Sequence, residues 1–284
     1  MPTVQIPTEY MSVAPLIVTS PTTRCGTTFL QRLLSTADNG FVFGENVGGY
    51  LSALTNLFAA QIHNAETTGP ANDAALENAL EGDVGNWHPT ISPPTEVMLS
   101  AMIATYYPLP KALETYMASI GRPIWGFKFP GYNFRTIKLM LSVMPNAKVI
   151  YIFRNLFDVL KSAKARKFVT SAEEIRKFCA DWSQGMGEIA ELANEERVLP
   201  VKYEGLMAQR DDHVQLLQLF TGLEGLDPAV FEVKINTFKG KAEDGKSPTQ
   251  YIEPAVLTDA DIAAVVEEAG PVMRHLYGDL MKAA

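Results

Sequence analysis

Short apolar runs alternate with amphipathic stretches along most of this chain. Pro15-Leu16-Ile17-Val18 opens the pattern and predicts a strand over about 15–20. Phe29, Leu30, Leu33 and Leu34 follow at helical spacing and predict a helix over about 27–36. Phe41-Val42-Phe43 reads as a short strand ending at Gly44-Glu45-Asn46, with helix after it over 47–62. Residues 63–95 are rich in Ala, Asn, Gly and Pro, which predicts loop with one helical piece near 71–81 and a Pro-rich loop at 89–94. Helical spacing returns at 95–106 and 109–120. Trp125-Gly126-Phe127-Lys128-Phe129 is a strand stopped by Pro130, and 133–144 is helical. Lys148-Val149-Ile150-Tyr151-Ile152-Phe153 reads as a continuous apolar run, as in a strand buried on both faces. A helix begins near Phe157, and 172–193 is a long amphipathic one. Val198 to Tyr203 is a last strand, followed by helices at 211–221 and 258–277 around a polar stretch at 232–257.

Strands that alternate with helices predict an α/β fold, a central parallel β-sheet flanked by helices on both faces. A mainly helical insertion over about 46–122 interrupts the alternation. With 284 residues, one large domain spanning 1–284 is expected rather than two.

Composition narrows the class. No apolar run reaches the roughly 18–20 residues of a membrane helix, and the first eleven residues lack the basic and apolar regions of a secretory signal. Two cysteines, Cys25 and Cys179, make neither a disulfide framework nor a metal cluster. These features predict a cytoplasmic protein with no integral membrane segment. The net charge of −8 argues against a general nucleic-acid binder. Its distribution is uneven: residues 50–120 hold one base and seven acids, whereas 122–177 hold twelve bases and three acids. A basic middle in an acidic chain suits a small polyanion, although solvated helix faces account for many of these charges.

Two stretches carry chemistry. Ser20-Pro21-Thr22-Thr23-Arg24-Cys25-Gly26-Thr27-Thr28 lies between a strand and a helix, the context of a phosphate-binding loop, where backbone N–H groups at a helix N-terminus capture an anion. The nucleotide triphosphatase pattern Gly-x4-Gly-Lys-Ser/Thr is not met, because Pro21 replaces the first Gly and Thr27 the Lys. The cradle remains, with its cation moved to Arg24. The second stretch, Arg154-Asn155-Leu156-Phe157-Asp158-Val159-Leu160-Lys161-Ser162, also follows a buried strand and opens a helix. Asp158 and Ser162 share a helix face. Arg154 with the Ser162 hydroxyl offers a second anion site, and two such sites suit a nucleotide phosphorylated at both ends of its ribose.

With these residues in view the chain resembles the sulfotransferases that use 3′-phosphoadenosine 5′-phosphosulfate (PAPS). Arg24-Cys25-Gly26-Thr27-Thr28 is similar to the family's 5′-phosphosulfate loop, and Arg154, Asp158 and Ser162 match its Arg-x3-Asp-x3-Ser motif for the 3′-phosphate. Lys128-Phe129-Pro130 resembles its central Lys-x-Pro strand end, and Tyr203-Glu204-Gly205-Leu206 its Tyr-Glu-x-Leu segment. The likeness spans roughly 16–220 and is closer to bacterial and Golgi-type branches than to the vertebrate cytosolic one.

The resemblance implies a three-layer P-loop-type fold and transfer of a sulfuryl group to a hydroxyl of a small-molecule acceptor, releasing adenosine 3′,5′-bisphosphate (PAP) without a metal. The donor would be held by Arg24, Cys25, Gly26, Thr27, Thr28, Phe29, Arg154, Ser162 and Tyr203, with Lys241 and Lys246 (beside Lys239) closing on the 3′-phosphate. Tyr203 at a strand end suits adenine contact or core packing. Arg24 and Lys128 would stabilise the transferring group and Glu45 would take the acceptor proton, with His88 as a competing base. Cys25 is expected to serve packing, although a thiol near a helix N-terminus tends toward a lowered pKa. The acidic 50–120 segment points to a neutral or cationic acceptor. Two rival classes are a P-loop small-molecule kinase and a non-catalytic nucleotide sensor. Oligomeric state is not legible.

Overall fold

Strand β1, Leu16–Thr19, is buried along its whole length, and the sheet is built outward from it. The computed structural model describes residues 6–83, 85, 91–192, 194–233 and 252–278. Helix α1 (Thr27–Leu34) leads to β2 (Gly40–Phe43). Four helices follow: α2 (Glu45–Thr67), α3 (Gly69–Leu80), α4 (Thr95–Tyr106) and α5 (Pro108–Ser119). The chain then continues through β3 (Ile124–Lys128), α6 (Phe134–Val143), β4 (Lys148–Phe153), α7 (Leu156–Ala165) and α8 (Ala172–Ala190). It closes with β5 (Val198–Lys202), α9 (Tyr203–Ala208), α10 (Arg210–Thr221) and α11 (Asp259–Tyr277).

Among the described residues the five strands form one sheet in the order β2-β3-β1-β4-β5. Every pairing is parallel, with Ile17 opposite both Phe127 and Val149. Side chains alternate across the pleat, so each strand feeds two cores. Ile17, Phe127, Val149 and Tyr151 join Leu51, Ile137, Leu160, Trp182 and Val265 on one face. Leu16, Val18, Ile150 and Ile152 join Leu30, Leu33 and Leu217 from α1 and α10 on the other. Burial on both faces explains the unbroken apolar run of β4. The α/β class and the flanked parallel sheet expected from the alternation are both present.

Local chemistry sets the helix starts. Ser171 and Glu174 form a reciprocal capping box at α8, and Thr258 and Asp261 form one at α11. Three elements differ from the pattern reading. Helix α2 starts at Glu45 rather than 47 and runs on to Thr67, because extended Gly44 releases the chain and an acid in the first turn suits the helix dipole. Within 63–95, α3 is tied to the start of α4: Asp73 accepts the Thr95 N–H (2.9 Å) and Asn72 accepts the Ser92 N–H (2.9 Å). Tyr203 does not end a strand; it opens the short helix α9. No helix among the described residues is long and apolar enough to cross a membrane.

Candidate active site

Helix α1 leaves β1 toward one core, and α7 leaves neighbouring β4 toward the other. Adjacent strands whose connections diverge open a crevice at the carboxyl edge of the sheet. Both predicted anion-binding stretches lie at that edge.

The first is the loop 20–28. Arg24 (φ 74°) and Gly26 (φ 105°) both hold left-handed backbone. Such a conformation is strained for arginine, and strain of this kind concentrates at ligand-binding turns. No side chain caps the N-terminus of α1, which leaves its first N–H groups and the positive end of its dipole for an anion. Gly26 is required twice over: a Cβ there would meet Tyr203 Cδ2 at 2.6 Å, besides the positive φ. Thr27 is buried and Thr28 exposed. Phe29 turns away, into edge contact with Tyr203 (6.3 Å) and Phe231 (5.0 Å); its ring belongs to the core. Cys25 is buried, and burial pushes its thiol up to about 11 despite a hydrogen bond with Thr22. Desolvation thus outweighs the helix N-terminus, and the tendency toward a lowered thiol pKa is reversed.

The second stretch starts at Arg154, directly after β4. Its guanidinium lies over the Tyr203 ring (4.7 Å to the centroid) and 3.4 Å from Asp158 Oδ2. Its Nε is buried with no hydrogen-bond partner, an N–H that carries a desolvation cost until an acceptor arrives. Asn155 caps α7 and donates its own N–H to Glu204 Oε1 (2.8 Å), while Glu204 Oε2 accepts from the Tyr277 hydroxyl (3.3 Å). Glu204 therefore holds the turn that carries Arg154, and Tyr203 packs between Gly26 and Arg154. The ring of Tyr203 joins the two anion sites as well as lying beside them.

The two stretches meet through Arg24, whose Nε donates to Ser162 Oγ at 3.1 Å. Its guanidinium lies 5.7 Å from the centroid of Phe168. Burial lowers the Arg24 pKa, and the nearby cations Arg166 and Arg154 lower it further. Like charges gathered in this way call for an anion between them. Arg166 and Phe168 were not singled out by the pattern reading. The available signal was Arg166 at four residues beyond Ser162, on the same helical face.

Lys128 and Glu45, the other two residues expected at the site, are in contact. Lys128 is the last residue of β3 and 5% exposed. Its Nζ donates to Thr28 Oγ1 at 3.2 Å and forms a short ion pair with Glu45 Oε1. Glu45, at the first turn of α2, is half-exposed. Lys128 thus bridges the phosphate loop and the carboxylate. Beside the loop lies a cavity of about 420 Å3, walled by Pro21, Thr22, Tyr132, Phe178, Asp181 and Glu188 among others.

A model of the sulfotransferase family matches residues 15–228, which contain both anion-binding stretches, Lys128 and Glu45. The chain belongs to the sulfotransferase family. The sulfotransferase domain of the Synechococcus PCC 7002 olefin synthase is similar over 93% of this chain and 97% of its own, at 17% identity and a TM-score of 0.51. The sulfotransferase domain from the curacin biosynthetic pathway is similar over 89% and 96%, at 14% identity and a TM-score of 0.50. At these identities the likeness is one of fold. No curated protein matches the chain.

In this sulfotransferase Lys128 touches both Thr28 and Glu45, Arg24 reaches Ser162, and Arg154 lies over Tyr203. Lys239, Lys241, Lys246 and the competing base His88 lie outside the described residues. Among the described residues there is no group of three or more His, Cys, Asp or Glu that would hold a metal ion.

Proposed function

We propose that this enzyme moves the sulfuryl group of PAPS to a hydroxyl of a small-molecule acceptor. The observation that carries the reading is the link from Arg24 to Ser162, which makes the two anion sites parts of one site. The uncapped N-terminus of α1, with Arg24, Gly26, Thr27 and Thr28, would hold the 5′-phosphosulfate. Arg154, with its buried unpaired Nε, and the Ser162 hydroxyl would hold the 3′-phosphate, with Tyr203 beside them.

In the reaction the acceptor oxygen forms a bond to sulfur as the bond from sulfur to the bridging phosphate oxygen breaks. The electron pair of that bond stays on the phosphate, giving PAP, and the acceptor proton passes to Glu45. Sulfuryl transfer resembles phosphoryl transfer in having a loose transition state, so positioned cations do most of the work. Lys128 is suited to this role because it touches both Thr28 of the loop and the Glu45 carboxylate.

The acidic balance of residues 50–120, one base against seven acids, supports a neutral or cationic acceptor. We further propose that one domain spans 1–284, that α2–α5 form its acceptor side, and that it works in the cytoplasm without a metal. The two buried free cysteines suit a reducing compartment. Incubation with sulfur-labelled PAPS and a panel of neutral, cationic and anionic alcohols and phenols, with EDTA present, tests the reading. Label is expected in a neutral or cationic product; transfer from ATP instead, dependent on magnesium, would overturn it.

A further inference from the structure

The close contact of Glu45 with Lys128 joins residues from two elements, the first turn of α2 and the end of β3, and something must set the gap between them. Two features do. Gly48 lies one turn after Glu45, and a Cβ on it would meet Phe129 Cβ at 2.7 Å and Lys128 O at 3.0 Å. Only glycine lets α2 come this close to the strand end. The buried Tyr132 hydroxyl then donates to Gly48 O at 2.5 Å, while its ring stacks on Phe129 at 4.8 Å between centroids and its N–H donates to Thr19 Oγ1 at 3.3 Å. Tyr132 is therefore anchored to β1 and to Phe129, just past the end of β3, and reaches across to α2. The same ring forms part of the cavity wall beside the phosphate loop.

We propose that Tyr132 and Gly48 are positioning residues that hold the Glu45 carboxylate at the reacting centre. The proposal rests on the sulfotransferase reading above. The Tyr132 phenol bonds to the first turn of α2, so the helix cannot slide along the strand end; glycine at 48 fixes how near it sits. A carboxylate at the start of a helix moves with the helix as a rigid body. Misplacement of a reacting group by about 1 Å costs on the order of 100-fold in rate, which sets the scale of the effect.

Two variants separate this role from packing. Tyr132→Phe keeps the ring, its stack on Phe129 and the cavity wall, and removes only the bond to α2. Gly48→Ala pushes α2 away from the strand end from the other side. Turnover of labelled PAPS is measured with 2-naphthol and with water as acceptors, and PAP affinity by calorimetry. The expected result is a kcat lower by roughly 10- to 100-fold in both variants, with the KM for 2-naphthol and the affinity for PAP within about twofold of wild type. Full kcat in Tyr132→Phe, or a fall in PAP affinity that accounts for the loss, would overturn the proposal while leaving the sulfotransferase reading intact. A wild-type enzyme that transfers label neither to 2-naphthol nor to any alcohol or phenol of the panel above would overturn that reading and the proposal with it.

Discussion

Glu45 and Lys128 look like ordinary surface charges in the sequence, one opening a helix and the other ending a strand. Folding makes them a pair: β3 buries Lys128 to 5% exposure, and the helix start turns Glu45 toward it. Replacing Lys128 by Met should lower kcat by about 10²–10³-fold, the usual cost of losing one charge-stabilising group, with PAP affinity little changed. Glu45→Gln should lower kcat by about 10²–10⁴-fold, again without loss of PAP. Steady-state kinetics beside calorimetry reads both, and a drop in PAP binding that matches the drop in rate would contradict the assigned roles. Thiol chemistry supplies a simpler check. Burial pushes Cys25 up to about 11 and Cys179 up to about 12, so neither should react with Ellman's reagent at pH 8 in the folded enzyme. Both should react in 6 M guanidinium. The loop 20–28 and Arg154 were legible as a candidate site because each stretch has a local strand–turn–helix signature. The support given by Tyr132, Glu204 and Arg166 was not, because it arises from contacts between segments far apart in sequence.

The element that matters most is the turn from β1 into α1. Its left-handed positions at Arg24 and Gly26 leave the helix N-terminus uncapped and open. Gly26→Ala adds a Cβ that meets Tyr203 at 2.6 Å and strains φ. It should lower stability by about 1–3 kcal/mol and abolish PAP binding, measured by urea unfolding and calorimetry. Unchanged PAP affinity would remove the loop from the donor site. At this scale β1, β3 and β4 are legible in the sequence from their apolar runs, and α8 and α11 from strong periodicity and capping residues at their starts. The full length of α2 and the helical start at Tyr203 are not legible there, since a Tyr after Val201-Lys202 fits a strand as well as a helix start. Tertiary packing of Tyr203 against Gly26 and Arg154 decided between the two.

At the scale of the whole molecule, α11 closes the fold by packing on α7 and α8, and one ion pair ties it to α7, the helix that follows Arg154. Lys164 of α7 forms a short contact with Asp261, which is 4% exposed and also accepts the Thr258 N–H at 2.7 Å. Burial by itself would raise the Asp261 pKa; the hydrogen bonds from Lys164 and Thr258 outweigh it and hold the carboxyl below its ordinary value. A folded-state pKa below the unfolded one gives stability that is present above the unfolded value of about 3.9. That stability is lost as pH falls through the folded-state value. Asp261→Asn should therefore cost about 1–3 kcal/mol near neutral pH, and the gap from wild type should narrow as pH falls below about 4. A gap independent of pH would contradict this. The parallel sheet was legible from the strand–helix alternation, but its order β2-β3-β1-β4-β5 was not. The order is set by β3, which follows α5 and lies between β2 and β1, a choice made by packing over long sequence separations.

The account stands on two anion sites acting as one donor site, and calorimetric titration of PAP, AMP and ATP in the presence of EDTA tests that most directly. It predicts micromolar binding of PAP in preference to AMP and ATP, with the preference lost in Arg154→Ala. Equal affinity for PAP and AMP, or a preference unaffected by that substitution, would contradict it.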